Sequence, residues 1–174
     1  GHKMIADLIC NLLDTEYSYY KKLGAEKKPS LPEPFTASRY EDAQRFQNYS
    51  CSPVMEGFEP DTHAAEQWSD PFKGGWIAHK QGSCIKFNVS GSIIMLQYRK
   101  TINKPAPVAY AVIDGDRQNK VLLDANFDED WGDLCCLEEI YSGNKGEHTV
   151  EIVIDTEGKE NSNFMLISVI TANK

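Results

Sequence analysis

The sequence has no apolar run approaching the roughly 20 residues that a membrane-spanning helix requires, so a membrane is not expected as a partner. Clustered basic residues are missing too: Lys21-Lys22 and Lys27-Lys28 are short pairs in a chain of formal net charge -8. Nucleic acid is held by clustered cations that release counterions, and this balance argues against it. Five cysteines occur, Cys10, Cys51, Cys84, Cys135 and Cys136, with neither CxxC nor a Cys/His zinc spacing. They read as small buried hydrophobes, and the odd, unpaired set leans towards a reducing, cytoplasmic compartment. Cys135 and Cys136 would point to opposite faces of a strand, which disfavours a bond between them. Neither Gly-x-Ser-x-Gly nor Gly-Asp-Ser is found; the nearest approximations, Gly82-Ser83-Cys84 and Ser90-Gly91-Ser92, read as turns at strand starts. The expectation is a chain without catalytic residues of its own, and it shows no internal repeat or low-complexity tract.

What is present suffices for one principal core plus an appendage, with 174 residues, 41% hydrophobic, 10% aromatic and 25% charged. Over residues 4–23, Ile5, Leu8, Ile9, Leu12, Leu13 and Tyr20 fall on a 3.6-residue period, predicting an amphipathic helix with Gly24 as its C-cap. Three prolines, Pro29, Pro32 and Pro34, then favour an extended, semi-rigid linker. From Tyr40 onward short β-rich runs alternate with Gly, Asn, Asp and Pro. Strands are predicted at 54–58, 75–79, 83–89, 92–99, 108–114, 120–124, 134–141, 147–154 and 164–170, with turns at Gly91, at Asp114-Gly115-Asp116 and at Gly143-Asn144-Lys145-Gly146. Eight or nine short strands without crossover helices give the fold class: mainly β, an antiparallel β-sandwich of jelly-roll, galactose-binding-like type, preceded by one helix and a proline-rich linker. The expected division is 1–26 for the helix, 27–39 for the linker and 40–174 for the sandwich.

Five residues are candidates for touching a ligand. Trp76 and Trp131, like Trp68, could stack on the apolar face of a sugar, with Tyr98 and Arg99 assisting, although a tryptophan in a small domain usually belongs to the core. Asp124, Asn126 and Asp128 alternate as an EF-hand loop begins, but Glu129 stands where that turn requires glycine and Cys135 where its bidentate glutamate belongs. No cofactor is therefore expected beyond a structural calcium held there in some other way. Asp61-Thr62-His63 reads as polar loop residues, and Asp114 and Asp116 as hairpin-turn residues.

The opening Gly1-His2-Lys3-Met4-Ile5-Ala6-Asp7-Leu8-Ile9 resembles the end of the last conserved block of SGNH (GDSL-like) hydrolases, where Asp-x-x-His-Pro leads into Gly-His and a terminal helix. The stretches Gly75-Trp76-Ile77-Ala78, 107–115, 123–128 with Trp131-Gly132, and 146–150 resemble β-sandwich domains attached to such bacterial hydrolases. This resemblance implies an esterase whose serine, aspartate and histidine lie upstream, acting on acylated carbohydrate or a similar ester. His2 matches the Gly-His and takes no catalytic role. The implied partner is the missing N-terminal hydrolase domain, with carbohydrate as a further one. Three readings follow: an accessory domain that packs beside an active site and shapes it, a carbohydrate-binding module, and an independent hydrolase.

Overall fold

The computed structural model describes residues 1–23, 38–40, 42–63, 70–155 and 163–173. The chain forms two compact units, Gly1–Thr36 and Ala37–Lys174. Gly24, the three linker prolines and Trp68 lie outside the described residues.

In the first unit the 3.6-residue period produces helix α1, His2–Leu23. Lys3 and Asp7 pair one turn apart at 2.8 Å, and Lys21 and Lys22 stand at the negative end of the helix dipole. Ile5, Leu8, Ile9, Leu12 and Leu13 are each more than half exposed. In proteins most of a helix's stability comes from packing such an apolar face, not from helix propensity. Among the described residues no helix is long and apolar enough to cross a membrane.

The second unit is the expected antiparallel β-sandwich. Its strands are β1 Gln44–Phe46, β2 Val54–Glu56, β3 Phe58–Pro60, β4 Trp76–Ala78, β5 Cys84–Lys100, β6 Val108–Ile113, β7 Val121–Asp124, β8 Leu134–Ile154 and β9 Phe164–Ala172. Hydrogen bonds connect them in the order β3-β4-β9-β5-β8-β6-β7, with β1 on β9 and β2 on β5. Two strands are far longer than expected. Gly91 is not a turn: β5 runs through it, and β8 likewise runs through Gly143-Asn144-Lys145-Gly146.

The two long strands pair from Cys84↔Val153 to Gly91↔Gly146, slip, and continue from Ile93↔Ser142 to Lys100↔Leu134. Extra residues on β8 at this slip are bulges, and bulges bend a strand so that it can pass from one layer to the other. Glycine suits the corner because a Cβ on Gly91 would stand 3.0 Å from the Ala172 carbonyl oxygen and 3.2 Å from that of Ile93. One layer therefore holds β2, the first half of β5, the second half of β8, β6 and β7. The other holds the first half of β8, the second half of β5, β9 with β1 and β4 along its far edge, and β3 beyond β4.

Between the layers Ile85, Phe87, Val150 and Ile152 face Trp76, Leu96, Tyr98, Phe164 and Leu166 in one apolar cluster. Trp76 and Phe87 meet edge to face across the gap at 5.1 Å, and Tyr98 stacks on Phe164 at 5.7 Å. The predicted strand 54–58 is two strands, because Gly57 takes φ +75° and separates β2 from β3.

Candidate ligand-binding site

The structure separates the four described candidates, Trp76, Tyr98, Arg99 and Trp131. Trp76 is 1% exposed and Tyr98 2% exposed, so both are corrected to core residues: neither offers a ring face to a ligand. The alternation that puts Trp76 and Ala78 inward on β4 determines the first. Tyr98 faces inward on β5, its O–H reaching across to the Asp124 carbonyl at 3.4 Å.

Arg99, next to the last residue of β5, and Trp131, in the loop before β8, lie at the far end of β5. Arg99 Nη1 lies 3.6 Å from Asp133 Oδ2, both side chains largely covered, and Asp133 Oδ1 accepts the Ile102 N–H at 3.2 Å. Trp131 is 67% exposed and meets Phe127 edge to face at 5.2 Å. The loop that carries it is braced, since Thr101 N–H donates to the Ala125 carbonyl at 2.8 Å, Phe127 N–H to that of Thr101 at 3.1 Å, and Lys104 Nζ to that of Phe127 at 3.0 Å. A braced loop that presents an exposed indole is suited to stacking against an apolar surface.

The calcium candidates engage protein donors instead of converging. Asp124 Oδ1 accepts the Asn126 N–H at 2.9 Å, and Asp128 Oδ1 accepts Asn126 Nδ2 at 2.9 Å and Lys104 Nζ at 3.4 Å. Among the described residues no group of three His, Cys, Asp or Glu side chains is placed to hold a metal ion.

Histidines and acids come together mainly as braces. His63 Nδ1 lies 3.0 Å from Asp61 Oδ1, and the Asp61 carboxylate is almost wholly buried with Lys73 Nζ 3.9 Å from its other oxygen. His79 bridges Asn163 at 2.6 Å and Glu59 at 3.4 Å.

The third pairing lies at the corner where β5 and β8 bend, and its acid belongs to the Asp114-Gly115-Asp116 turn. Asp114 takes φ +51° and Gly115 φ +77°, and Asp116 N–H donates to the Ile113 carbonyl at 2.9 Å, as a tight turn of two positive-φ residues requires. This geometry holds Asp114 Oδ1 against the Thr149 N–H at 2.8 Å and Oδ2 against His148 Nδ1 at 2.8 Å. The Tyr141 ring lies on the His148 ring, centroids 4.2 Å apart. Beside them Ile113, Asp114, Asp116, Asn119, Ile140 and Tyr141 line a cavity of about 290 Å³.

The His148 hydrogen bond, then that of Thr149, holds the Asp114 carboxyl below its ordinary range. A lowered folded-state pKa contributes stability that is fully present above the unfolded value of about 3.9 and is lost as pH falls through the folded value. Asp114→Asn removes this contribution while keeping a residue that tolerates positive φ. Denaturant titrations of the two proteins should therefore differ at pH 6 and converge towards pH 2; a difference independent of pH would show that the carboxylate charge is not what matters.

No family model matches the sequence, and no curated protein matches it. Solved structures do. Over its whole length the chain is 40% identical, with a TM-score of 0.76, to a two-domain esterase active on acetylated mannans, crystallised with mannopentaose. It covers 46% of that protein. A second structure of the same description matches at 41% identity and TM-score 0.75, over 86% of this chain and 41% of that one. A family two carbohydrate esterase from Cellvibrio japonicus, 15% identical over 76% of this chain and 34% of its own, has a TM-score of 0.52 and shares the fold alone. The chain thus spans less than half the length of the esterase it most resembles among these.

Proposed function

We propose that this chain is the accessory β-sandwich portion of an SGNH-type carbohydrate esterase, together with the helix that ends its catalytic domain. The observation that carries the reading is 40% identity over all of this chain to less than half of a two-domain esterase active on acetylated mannans. The amphipathic helix supports it, since the apolar stripe of α1 has the character of a surface made for a larger body. In this reading the serine, histidine and acid lie upstream of Gly1. The sandwich packs beside them and shapes access for acylated carbohydrate. A carbohydrate-binding module is the second reading, favoured by the exposed Trp131 on its braced loop.

The test compares the upstream-extended protein with and without residues 38–174 on two esters. An accessory role predicts that deleting the sandwich lowers acetyl release from acetylated mannan at least tenfold more than it lowers turnover of p-nitrophenyl acetate, because remote contacts act only on a substrate long enough to make them. Equal losses on both esters would count against it.

A further inference from the structure

We infer that the corner cavity beside Asp114 is a binding pocket for a single neutral sugar unit, one hydroxyl-rich ring with an apolar C–H face. It deepens the accessory reading, which it takes only as the reason that carbohydrate is within reach. The residues themselves define the chemistry.

The pocket is amphipathic. Ile113 and Ile140 extend the inter-layer core to its lining, and the Tyr141 O–H is drawn aside to the Asn144 carbonyl at 3.1 Å, which leaves the ring as an apolar wall. Asp114, Asp116 and Asn119 complete the lining. A pocket of about 290 Å³ lies at the small end of the ligand range of roughly 300–1,000 Å³, room for one ring and not for a length of polymer.

The polar side is preorganised and one-sided. Asp114 is fixed by Thr149 and His148, and Asp116 by the N–H groups of Gln118 at 3.1 Å and Asn119 at 3.3 Å and by Asn119 Nδ2 at 2.8 Å. Ionised carboxylate oxygens accept more than one hydrogen bond, so both groups retain capacity for a ligand's donors. Among the described residues no Lys or Arg lines the cavity, and Arg117 is engaged by Glu151 at 3.3 Å. A ligand here has to donate and cannot be an anion. Vicinal hydroxyls above a C–H face meet both demands.

His148 fixes the acid from the protein side. Its side chain is nine-tenths buried, Nδ1 is committed to Asp114, and Nε2 is buried with no hydrogen-bond partner among the described residues.

The experiment is a titration of the full chain, followed by backbone amide NMR, with mannose, mannopentaose and, as an anionic control, glucuronate. Saturable shifts are expected at residues 113–119 and 140–144 with both neutral sugars and not with glucuronate. Asp116→Asn, on a fully exposed turn, should weaken binding several-fold without disturbing the remaining resonances; Tyr141→Phe should leave it unchanged and Tyr141→Ala abolish it. Absence of saturable shifts at these residues, shifts confined to the Trp131 loop, or equal binding of glucuronate would overturn the proposal. Sugar binding at Trp131 alone would remove the pocket and leave the accessory reading standing, whereas the deletion experiment above tests that reading whatever the titration gives.

Discussion

Turnover of p-nitrophenyl acetate by this chain alone should stay at the buffer rate, while the same polypeptide extended upstream should accelerate it by on the order of 10⁶-fold or more, an ordinary enzymatic factor. Acyl transfer needs a nucleophile within reach of a base, the base oriented by an acid, and donors at the site of the developing oxyanion. In the sandwich, histidines meet acids at 61/63, 59/79 and 114/148, and each pair braces loops or strand ends. The Asp114–His148 pair has the look of half a triad. Its free nitrogen, however, is buried in the corner, only 3.6 Å from where a Cβ on Gly146 would lie, and not presented to a substrate. Equal turnover by the short chain and the extended one would overturn the assignment of the chemistry to the upstream portion.

The second large effect concerns stability. Trp76→Ala should lower the unfolding free energy by about 3–5 kcal/mol, the usual cost of removing a buried aromatic ring. Trp76 sits between the layers against Phe87, and its strand is pressed onto β9 so closely that a Cβ on Gly75 would fall onto the Leu166 carbonyl and 2.7 Å from Ile167 Cα. Little room remains for collapse into the cavity. Against a typical domain stability of about 5–15 kcal/mol this shifts a urea midpoint severely. Trp131→Ala, on the exposed loop, should move it by no more than about 0.5 kcal/mol. Equal effects of the two substitutions would mean that Trp76 does not hold the layers together.

Much of the sandwich could be read from side-chain alternation. Ile85, Phe87 and Val89 point inward as their period requires, as do Val150, Ile152 and Ile154 on β8. The corners could not. Gly91 and Gly143-Asn144-Lys145-Gly146 have the composition of turns, but a bulge uses the same residues, and only pairing with a second strand decides between them. β1 is too short to display a period, and β3 merges with β2 in the predicted strand 54–58 until Gly57 separates them. For the candidate site, sequence distinguished neither Trp76 from Trp131 nor the turn acid Asp114 from a pocket acid. The Asp-Gly signal located the hairpin, but His148 is brought to Asp114 across 34 residues by the β6-β8 register, in which Ile113 opposes Val150. An unassigned histidine at the inward end of a strand was the available hint.

Hydrogen exchange on α1 tests the central claim most directly. If the helix belongs against an upstream catalytic body, its amides from about residue 5 to 20 should exchange rapidly in this chain alone and be protected by orders of magnitude in the upstream-extended protein, while the amides of β5 and β8 stay protected in both. Equal protection of α1 with and without the upstream portion would contradict the account.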